Sequence, residues 1–233
     1  MASATAVSHR ALDGAAYRLE SDLDLREPAT SALEVIVGGR LVEFTAGDAS
    51  LGDSVAASLG VEGFDSELSF AGGILQTAVT EEREPRSGLV ERPLLVVWRG
   101  RRYAMVTRLY DIGTTEVLGL LRTLRVQETA NGLTLTPDRT AGSANAAAAT
   151  VIKEIPGLGL LELTRRTKAH AAQLPPWKGV ATAAGDLYRD TFTDGTPFFV
   201  LSGPEVWATV APLPSTTVEK VPDLVGRLTL ALA

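Results

Sequence analysis

The chain has no cysteine among its 233 residues. That removes disulfides and every thiolate metal site at once. Only two histidines are present, His9 and His170. Neither has a second histidine or a carboxylate at ligand spacing, and a zinc site needs three or four convergent donors, so no metal centre is expected. No window reaches the ~18 consecutive apolar residues of a membrane-spanning helix, so membrane insertion is not expected. Residues 1–25 carry polar side chains from the start and hold no uninterrupted apolar core, so they do not read as a signal peptide. A reducing, cytoplasmic setting is the expectation.

Catalytic motifs are also missing. There is no G-x-S-x-G nucleophile elbow and no Walker lysine motif. Gly157-Leu158-Gly159 resembles part of a dinucleotide turn but lacks the third glycine, and it reads as a helix start. The chain is therefore expected to be no enzyme and to use no cofactor.

What is present is an ordinary globular composition, 45% hydrophobic and 21% charged, with a net charge of −6. The charge is uneven. Residues 1–90 hold 6 basic and 15 acidic side chains, whereas residues 91–126 hold 7 basic and 3 acidic. An acidic protein is a poor nucleic-acid ligand, so no nucleic-acid partner is expected. The basic stretch reads most simply as a solvated hairpin and helix face.

Two stretches pair without a gap at an offset of 104 residues, 93–126 over 197–230. Eight of the 34 pairs are identical, among them Val96/Val200, Ala104/Ala208 and Leu120/Leu224. A duplicated unit predicts two related lobes. The expected fold class is α+β, each lobe an antiparallel sheet followed by a packed C-terminal helix. The expected division is an N-terminal arm over 1–30, a first lobe over 31–136, an Ala-rich linker over 137–150 and a second lobe over 151–233. Within the lobes, residues 33–45 form a hairpin turning at Gly38-Gly39, with Val35 and Val37 alternating on one arm and Leu41 and Phe44 on the other. Residues 51–59 form a helix. Residues 94–98 form a buried strand, 103–109 its partner, and a helix follows from Thr114 or Thr115. Residues 158–173 form a helix. Thr216-x-x-Glu219 is a capping box for a last helix, with Pro222 shifting its start or kinking it.

Three groups of side chains are candidates for a site. Arg99, Arg101 and Arg102 lie at a hairpin tip. The second copy has Gly203, Glu205 and Val206 there, so they are the candidate partner-binding residues, arginine being favoured at protein contacts. Asp186, Asp190 and Asp194 recur every four residues. On a strand they face one way and could hold a cation, although the simpler reading is a solvent face and its turn. Trp98, Trp177, Trp207, Phe198 and Phe199 line a pocket or, more simply, fill the core.

The run Gly185-Asp186-Leu187-Tyr188-Arg189-Asp190-Thr191, then Asp194-Gly195, then Val206-Trp207-Ala208-Thr209-Val210-Ala211-Pro212 and a terminal apolar helix, resembles the end of the EspG-like chaperones of actinobacterial type VII (ESX) secretion. The resemblance implies two related α+β halves and a cytosolic chaperone that binds a helical secretion substrate without catalysis. The first expectation is thus a protein-binding adaptor or chaperone. The second is a structural or assembly component of a phage or injection-type particle, which self-association of duplicated units would suit. The third is a small-ligand or metal-dependent enzyme using Asp186, Asp190 and Asp194.

Overall fold

Alternation of buried and exposed side chains runs through most of the chain, and strands dominate as a result. The computed structural model describes residues 4–83 and 88–233. In chain order it holds β1 (Thr5–Arg10), β2 (Ala16–Ser21), β3 (Ala29–Val37), β4 (Arg40–Asp48), α1 (Leu51–Ser58), β5 (Ser66–Phe70) and β6 (Gly73–Val79). There follow β7 (Glu82–Arg83), β8 (Val90–Glu91), β9 (Leu94–Arg99), β10 (Tyr103–Leu109), α2 (Thr114–Leu121), β11 (Leu124–Thr129), β12 (Gly132–Pro137) and β13 (Ala144–Asn145). The remainder is β14 (Thr150–Ile155), β15 (Gly159–Arg165), α3 (Lys168–Ala172), β16 (Val180–Thr182), β17 (Gly185–Thr191), β18 (Pro197–Ser202), β19 (Val206–Ala211), α4 (Val221–Val225) and β20 (Thr229–Leu232). No helix among the described residues is long and apolar enough to cross a membrane.

The α+β expectation is corrected. Strands hold 50% of the described residues and helices, short 3-10 turns included, 14%; the four α-helices are all short. The largest single difference is residues 158–173. Leu161 and Leu163 are fully buried, while Leu160 and Glu162 are exposed, and that period of two makes β15. Gly157 and Leu158 belong to the β14–β15 turn, closed by the Leu158 N–H donating to the Ile155 carbonyl at 2.9 Å. Only Lys168–Ala172 is helical there. At the C-terminus Pro222 sits in the first turn of the five-residue α4, where a missing N–H costs nothing. The Thr216–Glu219 pair precedes it and caps nothing.

The chain divides into two units. A central unit comprises Leu12–Gly14 and Thr30–Ala148, and a terminal unit comprises the chain up to Ala11, Ala15–Ala29 and Ala149–Ala233. The central unit has an antiparallel sheet in the order β3-β4-β10-β9-β6-β5, with β13 paired to β3 and a β11–β12 hairpin beside it. On one face α1 packs Ala56 against Leu95, Val97 and Val106. On the other face Leu121 of α2 lies over Val96, Trp98 and Met105.

The terminal unit has a sheet in the order β14-β15-β19-β18-β17-β16 and a three-stranded β1-β2-β20 sheet. Its core holds Tyr17, Leu19, Leu161, Leu163, Phe199, Val210 and Val225. His9, which sequence alone places in a frayed tail, is in β1 and pairs with Tyr17 of β2.

Numbered along the chain, the six strands of each main sheet run 1-2-6-5-4-3. Each unit has a helix between its second and third strands, α1 or α3, and a helix after its sixth, α2 or α4. The gapless offset of 104 is nevertheless one residue wrong. The β9–β10 turn is closed by Gly100 N–H donating to the Tyr103 carbonyl, and the β18–β19 turn by Gly203 N–H donating to Val206. The turn residues Arg101-Arg102 and Pro204-Glu205 are therefore 103 apart. A one-residue slip exchanges the faces of a strand, so the 104 offset pairs inward side chains with outward ones.

Candidate functional site

The three arginines of the β9–β10 hairpin have different neighbours. Arg99 faces α1 and is largely used up there. It forks onto Asp53 at 2.7 and 3.1 Å, donates to Gln76 Oε1 at 2.6 Å and lies 5.7 Å over the Phe64 ring. Arg102 donates to the Thr129 carbonyl at 2.8 Å and stands 3.5 Å from Glu128. The Glu128 carboxylate also accepts the backbone N–H groups of Arg101 and Arg102 at 2.8 and 2.9 Å, which ties the turn to β11 and its following loop. The Arg101 guanidinium has no hydrogen-bond or ion-pair partner among the described residues, and with Arg99 it edges a shallow cleft of about 370 Å³. Arg99→Ala should lower stability by about 1 kcal/mol, because the fork joins α1 to the sheet while Asp53 is mostly in water. Arg101→Glu should change stability by less than ~0.5 kcal/mol. Urea unfolding of both variants checks the contrast.

A larger concavity lies on the α1 face. Helix α1 covers the Val97 end of the sheet and leaves the other end open. There Val55, Leu95 and Val106 floor a groove of about 510 Å³, with Leu41, Glu43, Arg108 and Tyr110 around it. A second cleft of about 230 Å³ shares Leu41, Arg108 and Tyr110 and continues to Arg40 and Leu120. Leu41 is 62% exposed and Tyr110 43%. Val42 and Phe44 take the buried positions of β4, so alternation sends Leu41 outward.

The rim is polar and pre-organised. Arg108 donates to Glu82 at 2.7 Å and lies 5.7 Å over the Tyr110 ring, and the Tyr110 hydroxyl donates to Glu82 at 3.1 Å. These bonds hold the Glu82 carboxyl below the usual carboxylate range. Burial, then the Glu82 bond, pushes the Tyr110 phenol upward. Arg40 donates to the Tyr110 carbonyl at 3.1 Å and fixes the end of β10. Arg108 Nε is buried without a partner among the described residues. An apolar floor with an arginine–tyrosine–glutamate rim can take apolar side chains and orient the polar groups beside them.

The other candidates are dispersed. Among the described residues no three His, Asp or Glu side chains gather at metal-binding distance. Asp186 and Asp190 stand on one face of β17, and Asp194 lies beyond it in the turn. The Asp194 carboxylate accepts the Thr196 N–H at 2.8 Å, which holds its pKa down. Trp98 and Phe199 are core residues, Trp207 is nearly so and stacks on His170 at 4.8 Å, and Trp177 is 52% exposed. No protein-family model, curated protein or solved structure matches the chain.

Proposed function

We propose that the chain is a non-enzymatic, cytoplasmic protein-binding adaptor, a chaperone of the kind that type VII secretion systems use for their helical substrates. The groove beside α1 carries this reading. It combines an apolar floor, two exposed large side chains at its mouth, and an arginine held ready by Glu82 and Tyr110. Anchors of that type dominate protein contacts, and an amphipathic helix laid in an apolar groove is a recurrent mode of recognition. The partner class comes from the resemblance of the C-terminal stretch to the EspG-like chaperones. Two units share one strand order, as related halves would, but both are mostly β where the resemblance implies α+β halves.

The test is purification of the full chain with helical type VII secretion substrates, followed by light scattering on the eluate. A discrete stoichiometric complex is expected. Leu41→Arg, at an exposed position, should weaken that complex at least tenfold, about 1.4 kcal/mol or more. Recovery of the chain only with itself, in a large regular particle, would overturn the reading in favour of an assembly component. A complex indifferent to Leu41→Arg would remove the groove from it.

A further inference from the structure

In the terminal unit the face corresponding to the α1 face is buried at its Val200–Trp207 end and open at its Leu160–Phe192 end. The ladder registers place Ile152, Glu162, Thr209, Val200 and Tyr188 in one cross-strand row. In the next row Glu154 is opposite Leu160, Leu160 opposite Ala211, and Phe198 opposite Asp190. Phe192 extends this row by stacking on Phe198 at 4.5 Å. Leu160 is 38% exposed and Phe192 47%. Helix α3 has only five residues, and its ring contact with this face is His170 on Trp207.

The central unit shows what such a face accepts. The 103-residue relation of the hairpins makes Phe198, Val200 and Thr209 the counterparts of Leu95, Val97 and Val106. Against those three α1, an amphipathic helix, packs Ala56. Five strands at about 4.8 Å spacing make a row about 19 Å wide, which accepts a helix ~10 Å across with side chains on either flank.

Charge selects the helix. This face carries Glu154, Glu162, Asp186 and Asp190, while the basic residues of the same strands, Lys153, Arg165 and Arg189, alternate to the opposite face. We infer that the face docks an amphipathic helix of another protein whose apolar stripe is flanked by lysine and arginine. Four carboxylates repel phosphate, which excludes nucleic acid and anionic lipid as occupants. A second copy of this chain does not fit either, since α1, α2 and α4 contain no basic residue and α3, which holds Lys168, has only five residues.

The test uses the full chain and two fluorescein-labelled designed helical peptides. Both carry a leucine stripe, flanked by lysines in one and by glutamates in the other. By fluorescence anisotropy the lysine peptide is expected to bind at least tenfold tighter, with the gap narrowing as salt rises. Leu160→Lys, and Glu162→Lys with Asp190→Lys, should each weaken it at least tenfold, whereas Leu41→Arg in the central unit should leave it unchanged. Circular dichroism reports whether each variant folds, and Glu162→Lys alone decides if Leu160→Lys does not. Equal binding of the two peptides, no binding of either, indifference to these changes, or loss on Leu41→Arg would overturn the inference.

Discussion

One methyl group added at Gly159 is expected to destabilise the terminal unit by about 3 kcal/mol or more. Gly159 opens β15 with φ at +128°, where an L side chain is strained; such strain costs about 1–3 kcal/mol. A Cβ there would also press on the Ala211 carbonyl oxygen and stand 2.8 Å from Pro212 Cα. Both obstacles are backbone, so no rotamer change relieves them, and overpacking of this kind costs about 1–3 kcal/mol more. The register makes relief harder, because Leu160 next door is paired with Ala211 in the ladder that joins β15 to β19. Gly195→Ala supplies the comparison. Its φ of +84° is equally unusual for alanine, but nothing lies within 4 Å of the added atom. That variant should lose only the strain, about 1 kcal/mol. Urea unfolding followed by tryptophan fluorescence should order the midpoints as wild type, Gly195→Ala, Gly159→Ala, with unchanged slopes. Equal losses in the two variants would mean that the close approach at Ala211 is not as tight as described.

The contrast between these glycines marks what local sequence can and cannot reveal. Turns are legible. Gly38-Gly39 places the β3–β4 hairpin, Asp194-Gly195 the β17–β18 connection, and Gly60 the end of α1. The unbroken run from Leu94 to Trp98 reads as a strand buried on both faces, and all five residues are buried. Residues 158–165 are not legible in the same way. Leu158 and Leu161 fit a helical period, and Leu161 and Leu163 fit a strand. Pairing with β14 on one side and β19 on the other decides between them. The duplication shows the same limit. Apolar identities align well at 104, yet a strand tolerates an apolar residue on either face in a buried sheet, so identity cannot detect a one-residue slip. The groove is further from view, because its side chains come from β4, β9, β10 and α1, with Glu82 of β7 bonded at its rim. Leu41 is the exception: its exposure follows from Val42 and Phe44 taking the core positions of β4.

Between pH 6.5 and 4 the protein is expected to lose about 3 kcal/mol of stability through one histidine. His9 sits in β1 with Nε2 buried and no hydrogen-bond partner among the described residues. Burial, and then the positive charge of Lys153, lowers its pKa from 6.5 to about 4. Lys153 is itself 1% exposed on β14, with its ammonium donating to the Glu27 carbonyl. Burial pulls the lysine down from 10.5, opposed by the nearby Glu27 and Asp24. The unfolded chain protonates His9 from about pH 6.5 downward, whereas the folded chain resists until about pH 4. In that window the unfolded state holds the extra proton, so stability falls as pH falls. A shift of this size is worth about 3 kcal/mol at 1.36 kcal/mol per pH unit. Below pH 4 both states carry the proton and His9 contributes no further loss. Asp24, lowered to about 2 by its bonds to Arg26, titrates beneath the window. Urea unfolding at pH 7, 5.5 and 4.5 should show a steeper slope in the wild type than in His9→Gln, where His170 and Glu82, both also lowered, keep a smaller one. With only two histidines in the chain, proton resonance titration should assign the lower transition to His9. A His9→Gln variant with the wild-type slope, or a His9 resonance titrating near 6.5, would mean that water reaches this ring and that the buried pair with Lys153 does not exist in solution.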